Sequence, residues 1–135
     1  MLMAVISGDG VFSHVFIGAN DVEASAKFYD AALGALGVKN LGPFGNGWIL
    51  YGKEKPAFII AKPGNGEAAS GNGVTVGFAA TSTAEVAAFH AAGLANGGTD
   101  EGAPGSRDHL PGAYAAYLRD PAGNKICSYA FTDGN

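Results

Sequence analysis

The chain has few of the residues that mark several common classes of protein. It contains one cysteine, Cys127, among 135 residues, which excludes an internal disulfide. Charged residues make up 15% of the chain, too few for disorder driven by charge. No apolar run approaches the roughly 18 residues that span a membrane. Lysines and arginines form no cluster and the formal net charge is −4, so we expect neither a nucleic-acid partner nor binding to a membrane.

The amino-terminal residues 1–8 are apolar, but the run is short and no basic residue accompanies it, so we expect no signal peptide. With the single cysteine, this favours a cytoplasmic protein. The length indicates one domain, residues 1–135, and the 47% of hydrophobic residues suffices for a core.

An internal repeat organises the sequence. Residues 13–37 align with residues 74–98 without a gap, with seven identities in 25 positions. Each copy has a run rich in β-branched and aromatic residues, followed by apolar residues at helical spacing. Asn20 or Asp21 is available to cap the first helix, and a capping box that begins at Ser82 precedes the second. The sequence therefore predicts the same strand and helix twice.

Strand-like runs follow each helix, so each copy is predicted to be a βαβββ module. The fold class is thus α+β, with two tandem βαβββ modules whose uncovered sheet faces curve around a shared cleft. Module one covers about 11–62, a flexible glycine-rich linker about 63–72, and module two about 73–131. The predicted strands are 12–17, 38–44, 48–51, 57–61, 74–78, 99–101, 113–118 and 125–130.

Two motifs and one histidine carry a family resemblance. The motif D-V-x-x-S-x-x-F-Y begins at Asp21, the motif D-P-x-G-N-x-I begins at Asp120, and His14 lies in the opening strand. With them, residues 11–131 resemble the vicinal oxygen chelate superfamily, which includes glyoxalase I, extradiol dioxygenases and bleomycin resistance proteins. The resemblance implies a small-molecule ligand and a homodimer, but it does not select one activity.

The resemblance also implies where metal ligands would lie. Metal-using members place them on the cleft side of the first and last strands of each module. His14 matches, but the equivalent positions in the second module hold Thr75 and Cys127, and residues 57–61 offer no donor. Because a catalytic zinc site usually has three protein ligands, we expect a degenerate metal site and no cofactor. A divalent metal held by His14, with altered partners, is the alternative.

Candidate ligand-binding residues lie on the predicted cleft face or in the long loop at 102–112. The imidazole of His14 suits ligand contact or acid–base work, and Arg107 would recognise an anionic group. Pairing across the last hairpin would bring Tyr117 close to Cys127. The cysteine could instead be a small buried hydrophobe or form a nucleophilic pair with His14. The full set is His14, Trp48, Thr75, Arg107, His109, Tyr117 and Cys127.

Three functions fit these observations. The first is a small-molecule-binding protein of the glyoxalase/bleomycin-resistance type, which sequesters or modifies a compact, partly aromatic or electrophilic compound. The second is a metal-dependent lyase, isomerase or dioxygenase, similar to lactoylglutathione lyase, with altered ligands. The third is a non-catalytic subunit whose cleft is filled by its own side chains.

Overall fold

Two four-stranded sheets, each with one helix, make up the protein. The computed structural model describes residues 11–69 and 71–131. The element order is βαβββ twice, which confirms the predicted α+β fold of two tandem modules. In chain order the elements are β1 Val15–Gly18, α1 Val22–Gly34, β2 Lys39–Phe44, β3 Trp48–Gly52, β4 Phe58–Ala61, β5 Thr75–Ala79, α2 Thr83–Ala95, β6 Thr99–Ser106, β7 Ala113–Arg119 and β8 Lys125–Phe131.

The two sheets have the same topology. Strand order is β1-β4-β3-β2 in the first sheet and β5-β8-β7-β6 in the second. The pairs β1–β4 and β5–β8 are parallel, and the remaining neighbours are antiparallel. In each module a helix follows the first strand along the chain. The parallel partner of that first strand is the last strand of the module. Neither sheet closes on itself, so both keep two edge strands.

Side-chain caps start both helices. The Asp21 carboxylate accepts a hydrogen bond from the Ala24 backbone N–H at 3.1 Å and starts α1. Ser82 Oγ accepts one from the Glu85 N–H at 3.1 Å and starts α2. The Glu85 carboxylate in turn accepts from the Thr81 N–H at 2.8 Å, one residue before the expected position in a capping box.

One main core joins the two modules. Phe28 of α1 and Phe89 of α2, which are equivalent in the repeat, are both fully buried in it. Phe58 of β4 meets Phe78 of β5 edge to face, with ring centroids 5.1 Å apart. The helices therefore pack on sheet faces that meet in a shared interior, where apolar burial stabilises both modules together.

Strand β6 is longer than the sequence predicts. The expected strand covered 99–101 and the expected loop 102–112, but β6 runs from Thr99 to Ser106 and the irregular connection is only 107–112. Two register shifts interrupt its pairing with β7. Pro104 is tolerated because β6 is an edge strand, where one side needs no backbone donor.

The buried face of α2 does not follow hydrophobicity alone. Leu94 is apolar but 43% exposed, whereas His90 is buried. The buried residues Val86, Phe89, His90 and Gly93 occupy positions i, i+3, i+4 and i+7, which lie on one helix face. A 2.8 Å hydrogen bond between His90 Nε2 and Asp100 on β6 satisfies the imidazole and lowers the pKa of Asp100.

The glycine-rich linker contacts both modules. The side chain of Asn20 donates to the Ala69 carbonyl at 3.2 Å and accepts from the Ala69 N–H at 2.6 Å. On the other side, Arg119 donates to the Gly71 carbonyl at 2.9 Å. A Cβ on Gly18 would lie 2.8 Å from Ala69 Cβ, so this close approach of the linker to β1 requires glycine.

Neither helix in the described part of the chain is long and apolar enough to cross a membrane. The prediction that no signal peptide is present concerns residues 1–8, which lie outside the described residues.

Candidate functional site

Each sheet has one face packed under its helix and one face without a helix, here called the open face. Because side chains alternate along a strand, Lys125, Cys127 and Tyr129 of β8 share the open face of the second sheet. The parallel ladder places Thr75 beside Lys125 and Gly77 beside Cys127. The open face therefore presents a cation, a thiol and a phenol in one row, next to a strand of small residues.

An open cavity of about 830 Å³ lies over this part of β5 and β8. This volume is typical of small-molecule sites, which range from roughly 300 to 1,000 Å³. Its floor is low because Gly77 has no side chain, and a Cβ there would lie 3.4 Å from Cys127 Sγ. Tyr129 and Phe131 form an aromatic wall, with ring centroids 6.0 Å apart. No residue that lines the cavity carries a charge.

Two cations lie over Tyr117, the ladder neighbour of Cys127. The Arg107 guanidinium carbon lies 5.5 Å from the Tyr117 ring centroid, and Lys125 Nζ lies 5.3 Å from the same centroid. The hydroxyl groups of Tyr117 and Tyr129 are hydrogen-bonded to each other. Tyr117 lies directly across the ladder from Cys127, as the sequence predicted.

The environment of Cys127 keeps its sulfur protonated. Burial raises the pKa of the Cys127 thiol to about 11, and the positive charges of Lys125 and Arg107 only partly oppose this. Burial, and then the hydrogen bond with Tyr129, also raises the pKa of Tyr117. A protonated thiol is a weak nucleophile and a weak metal ligand.

The predicted site residues divide between the two sheets. His14 precedes β1 of the first sheet; it is exposed, and its Nδ1 lies 2.8 Å from Ser13 Oγ. Trp48 meets Phe16 edge to face on the open face of the first sheet, with centroids 5.5 Å apart. His109 is exposed in the turn between β6 and β7. On the open face of the second sheet, or at its border, the structure brings together Thr75, Arg107, Tyr117 and Cys127.

Arg107 holds the connection between β6 and β7 in place. Its guanidinium donates hydrogen bonds of 2.9 to 3.1 Å to three backbone carbonyls, those of Ala103, Gly105 and Ser106. These acceptors are neutral, so the bonds fix the position of the guanidinium without cancelling its charge. The recognition of an anion by Arg107 stays a prediction.

The predicted site residues did not include four residues that lie in or beside this cavity. Strand alternation outward from Cys127 would have indicated Lys125, Tyr129 and Phe131, because they share one face of β8 with it. Gly77 carries no side-chain signal, and its importance comes only from the space it leaves beside the thiol.

The motif that begins at Asp120 has a structural role. The Asp120 carboxylate accepts a 2.6 Å hydrogen bond from the Tyr29 hydroxyl of α1 and two 2.9 Å bonds from backbone N–H groups of its own turn. Asn124 donates to Asp120 at 3.0 Å and to the Gly18 carbonyl of β1 at 2.8 Å. Burial, followed by the negative charge of Asp120, raises the pKa of Tyr29. The last hairpin turn is thereby tied to both α1 and β1.

Comparison with known proteins agrees with the architecture. The family model of the Glyoxalase/Bleomycin resistance protein/Dioxygenase superfamily matches residues 11–127. The chain belongs to this superfamily. Its sequence is 51% identical to a glyoxalase/bleomycin resistance protein from Albidiferax ferrireducens T118, whose crystal structure aligns with a TM-score of 0.78 over 88% of this chain and 97% of that one.

Other superfamily structures share the fold at lower identity. A glyoxalase-related enzyme from Fulvimarina pelagi is 22% identical, with a TM-score of 0.70 over 89% of this chain and 88% of that one. Lactoylglutathione lyase from Agrobacterium tumefaciens is 20% identical, with a TM-score of 0.63 over 89% and 93%. No curated protein matches the chain.

Two of the side chains at the positions that the resemblance implies for metal ligands are weak donors. Within residues 11–69 and 71–131, no three His, Cys, Asp or Glu side chains are grouped to hold an ion. At the positions that the resemblance implies, Thr75 offers a neutral hydroxyl and Cys127 a thiol whose pKa is about 11.

Proposed function

We propose that this superfamily member binds a compact, partly aromatic small molecule in the cavity over β5 and β8, without a resident metal ion. The observation that carries the proposal is the open cavity of about 830 Å³, with its uncharged lining, aromatic wall and bare floor at Gly77. A cleft filled by its own side chains would leave no such space, so the cavity argues against a purely structural subunit.

Filling the cavity tests this proposal. With 2-naphthalenemethanol as a neutral probe, we expect saturable binding to the unaltered protein by calorimetry. Gly77→Val should weaken binding by about tenfold or more, because the new side chain occupies the floor. The position is exposed on a strand and tolerates a β-branched residue.

Gly64→Val is the matched control, since nothing lies within 4 Å of a Cβ there and Gly64 is not part of the cavity. The control should bind the probe like the unaltered protein. Equal binding by Gly77→Val and Gly64→Val would contradict the proposed site.

The metal-dependent alternative is tested separately. We expect protein purified without chelators to hold far less than one Zn, Ni, Fe or Mn per chain, because Thr75 and Cys127 are poor ligands. Adding Zn²⁺ or Ni²⁺ should leave Tm unchanged, since a ligand raises Tm only when it prefers the native state. A stoichiometric metal by elemental analysis, with a Tm that falls on its removal, would support a lyase, isomerase or dioxygenase.

From the resemblance we further propose a homodimer that acts in the cytoplasm. The net charge of −4 supports a small-molecule ligand over a nucleic-acid partner. Sedimentation of the purified protein tests the dimer.

A further inference from the structure

Positive charge is concentrated around Tyr117, which lies across the ladder from Cys127 of the cavity. Lys125, Arg107 and Arg119 surround Tyr117 and the strand that bears it. The chain has only eight lysines and arginines, and both of its arginines are here. Arg119 is compensated, because its Nη2 lies 3.1 Å from the Glu101 carboxylate. Within residues 11–69 and 71–131, the other two cations form no such ion pair.

Lys125 and Arg107 keep their charges available to a ligand. No carboxylate of the described residues forms an ion pair with Lys125, whose ammonium lies above the Tyr117 ring. Arg107 is held by neutral backbone carbonyls. The open face therefore bears local positive charge on a chain whose net charge is −4. A field of this sign attracts anions and repels cations.

The rest of the cavity suits a flat ring. Gly77 leaves bare backbone on β5, and Tyr129 and Phe131 stand beside it on β8. Aromatic side chains stack on or meet flat conjugated ligands with favourable geometry. Thr75 adds a hydroxyl at the cationic end, because it is the ladder neighbour of Lys125.

We propose that the ligand class is the flat aromatic acid. Its ring lies over Gly77 against Tyr129 and Phe131, and its carboxylate or other anionic group faces Lys125 and the Thr75 hydroxyl. Arg107 adds charge from its fixed position above Tyr117. This inference rests on the proposed function of the same cavity and names the ligand chemistry that the cavity selects.

Three probes of nearly equal shape but different charge distinguish the effect of charge on binding from the effect of shape. They are 2-naphthoate, 2-naphthalenemethanol and 2-(aminomethyl)naphthalene. We expect the acid to bind at least about tenfold more tightly than the amine at low salt, with the alcohol between them. Raising NaCl from about 20 to about 300 mM should narrow this difference, because salt screens charges near the surface. The affinity of the alcohol should not change.

Lys125→Met tests the residue itself, because methionine keeps an unbranched stem over Tyr117 and removes only the charge. The affinity for 2-naphthoate should fall about three- to fivefold, the upper part of the scale for one exposed charge pair. The affinity for 2-naphthalenemethanol should stay within about twofold, which also shows that the variant is folded. Lys39→Met, on the first sheet, is the control and should change neither affinity.

The possible outcomes separate this inference from the proposed function. Equal affinity for the acid and the amine, or no effect of Lys125→Met, overturns the inference that the ligand is an aromatic acid. If the alcohol still binds, the cavity remains a ligand site. Failure of all three probes overturns both. The inference is also overturned if the affinity falls as the protein concentration rises while sedimentation detects association of two copies, because a second copy then covers the open face.

Discussion

The Cys127 side chain is 4% exposed, yet its sulfur borders the cavity beside Gly77. With a pKa of about 11 against an ordinary 9.0, the thiol ionises roughly a hundredfold less than an exposed cysteine at neutral pH. The lone cysteine thus contributes shape and polarisability to the cavity more than reactivity.

Alkylation kinetics check this description of Cys127. At pH 7.5 we expect iodoacetamide to modify the folded protein about a hundredfold or more slowly than the chain unfolded in urea. The rate should rise about tenfold for each unit of pH until the pH approaches the thiol pKa of about 11. Rapid alkylation of the folded protein at pH 7.5 would instead support a thiolate activated by His14.

At the residue scale, the sequence predicted which residues pair across two strands better than it predicted which face of a sheet a side chain occupies. The contact register of Tyr117 and Cys127 followed from the length of the turn between β7 and β8. His14 was assigned to a strand at 12–17, but β1 begins only at Val15, so alternation had no basis at position 14. Side-chain direction beyond a strand end is set by tertiary packing, which a local pattern does not contain.

The turn between β7 and β8 is an element whose sequence serves packing. Asp120 is only 4% exposed and accepts from Tyr29 and from two N–H groups of the turn. Because the bond to Tyr29 joins the turn to α1, it stabilises tertiary structure as well as the hairpin. A buried hydrogen bond to a carboxylate contributes roughly 1.5–3 kcal/mol.

Removing one hydroxyl measures this connection. We expect Tyr29→Phe to lower the free energy of unfolding by about 1.5–3 kcal/mol in urea, because Asp120 loses its donor from α1. Tyr114→Phe is the matched control, since Tyr114 of β7 is partly buried with no hydrogen bond to its hydroxyl within the described residues. An equal loss in both variants would show that removal of any tyrosine hydroxyl, and not loss of the Asp120 bond, explains the effect.

Strand β6 shows why elements of low propensity escape prediction. Its sequence is rich in glycine and includes Pro104, so it was expected to be mostly loop. The neighbouring strand β7 supplies hydrogen bonds that override this preference, with bulges where the register shifts. Both helices, by contrast, carry their caps and apolar spacing locally, and the sequence predicted where they start.

At the scale of the whole molecule, the sequence repeat predicted the two modules but not how they pack against each other. Identical element order followed from local pattern, whereas the contact of Phe58 with Phe78 joins residues of different modules. Likewise, the pattern of one repeat does not determine how the open face that bears Trp48 is oriented relative to the open face that bears Cys127. Orientation between repeats depends on surfaces that no single repeat reveals.

Two buried tyrosines and one half-buried tyrosine make the stability of the whole molecule sensitive to alkali. Burial is the largest cause of the raised pKa values of Tyr29, Tyr51 and Tyr117. Above about pH 10 the unfolded chain therefore binds fewer protons than the folded one, and stability falls as pH rises. Cys127, with a pKa raised from 9.0 to about 11, adds to the loss from about pH 9 upward.

Urea unfolding at several pH values tests this dependence. We expect an almost constant midpoint from pH 7 to about 8.5 and a steady decrease above about pH 10. The decrease should be smaller for Tyr29→Phe, since one tyrosine no longer needs to stay protonated. A midpoint that is flat to pH 11 would contradict the burial of these hydroxyls.

The two contacts of the last hairpin turn have a consequence for synthesis. Tyr29 precedes its acceptor by 91 residues, and Gly18 precedes its donor by 106. As the nascent chain leaves the ribosome, α1 can form with its own cap, but its tyrosine has no carboxylate to bind until nearly the entire polypeptide has emerged. The hydrogen bonds of Tyr29 and Gly18 can therefore form only after the carboxy-terminal half has been synthesised. Loop closure over such separations slows folding.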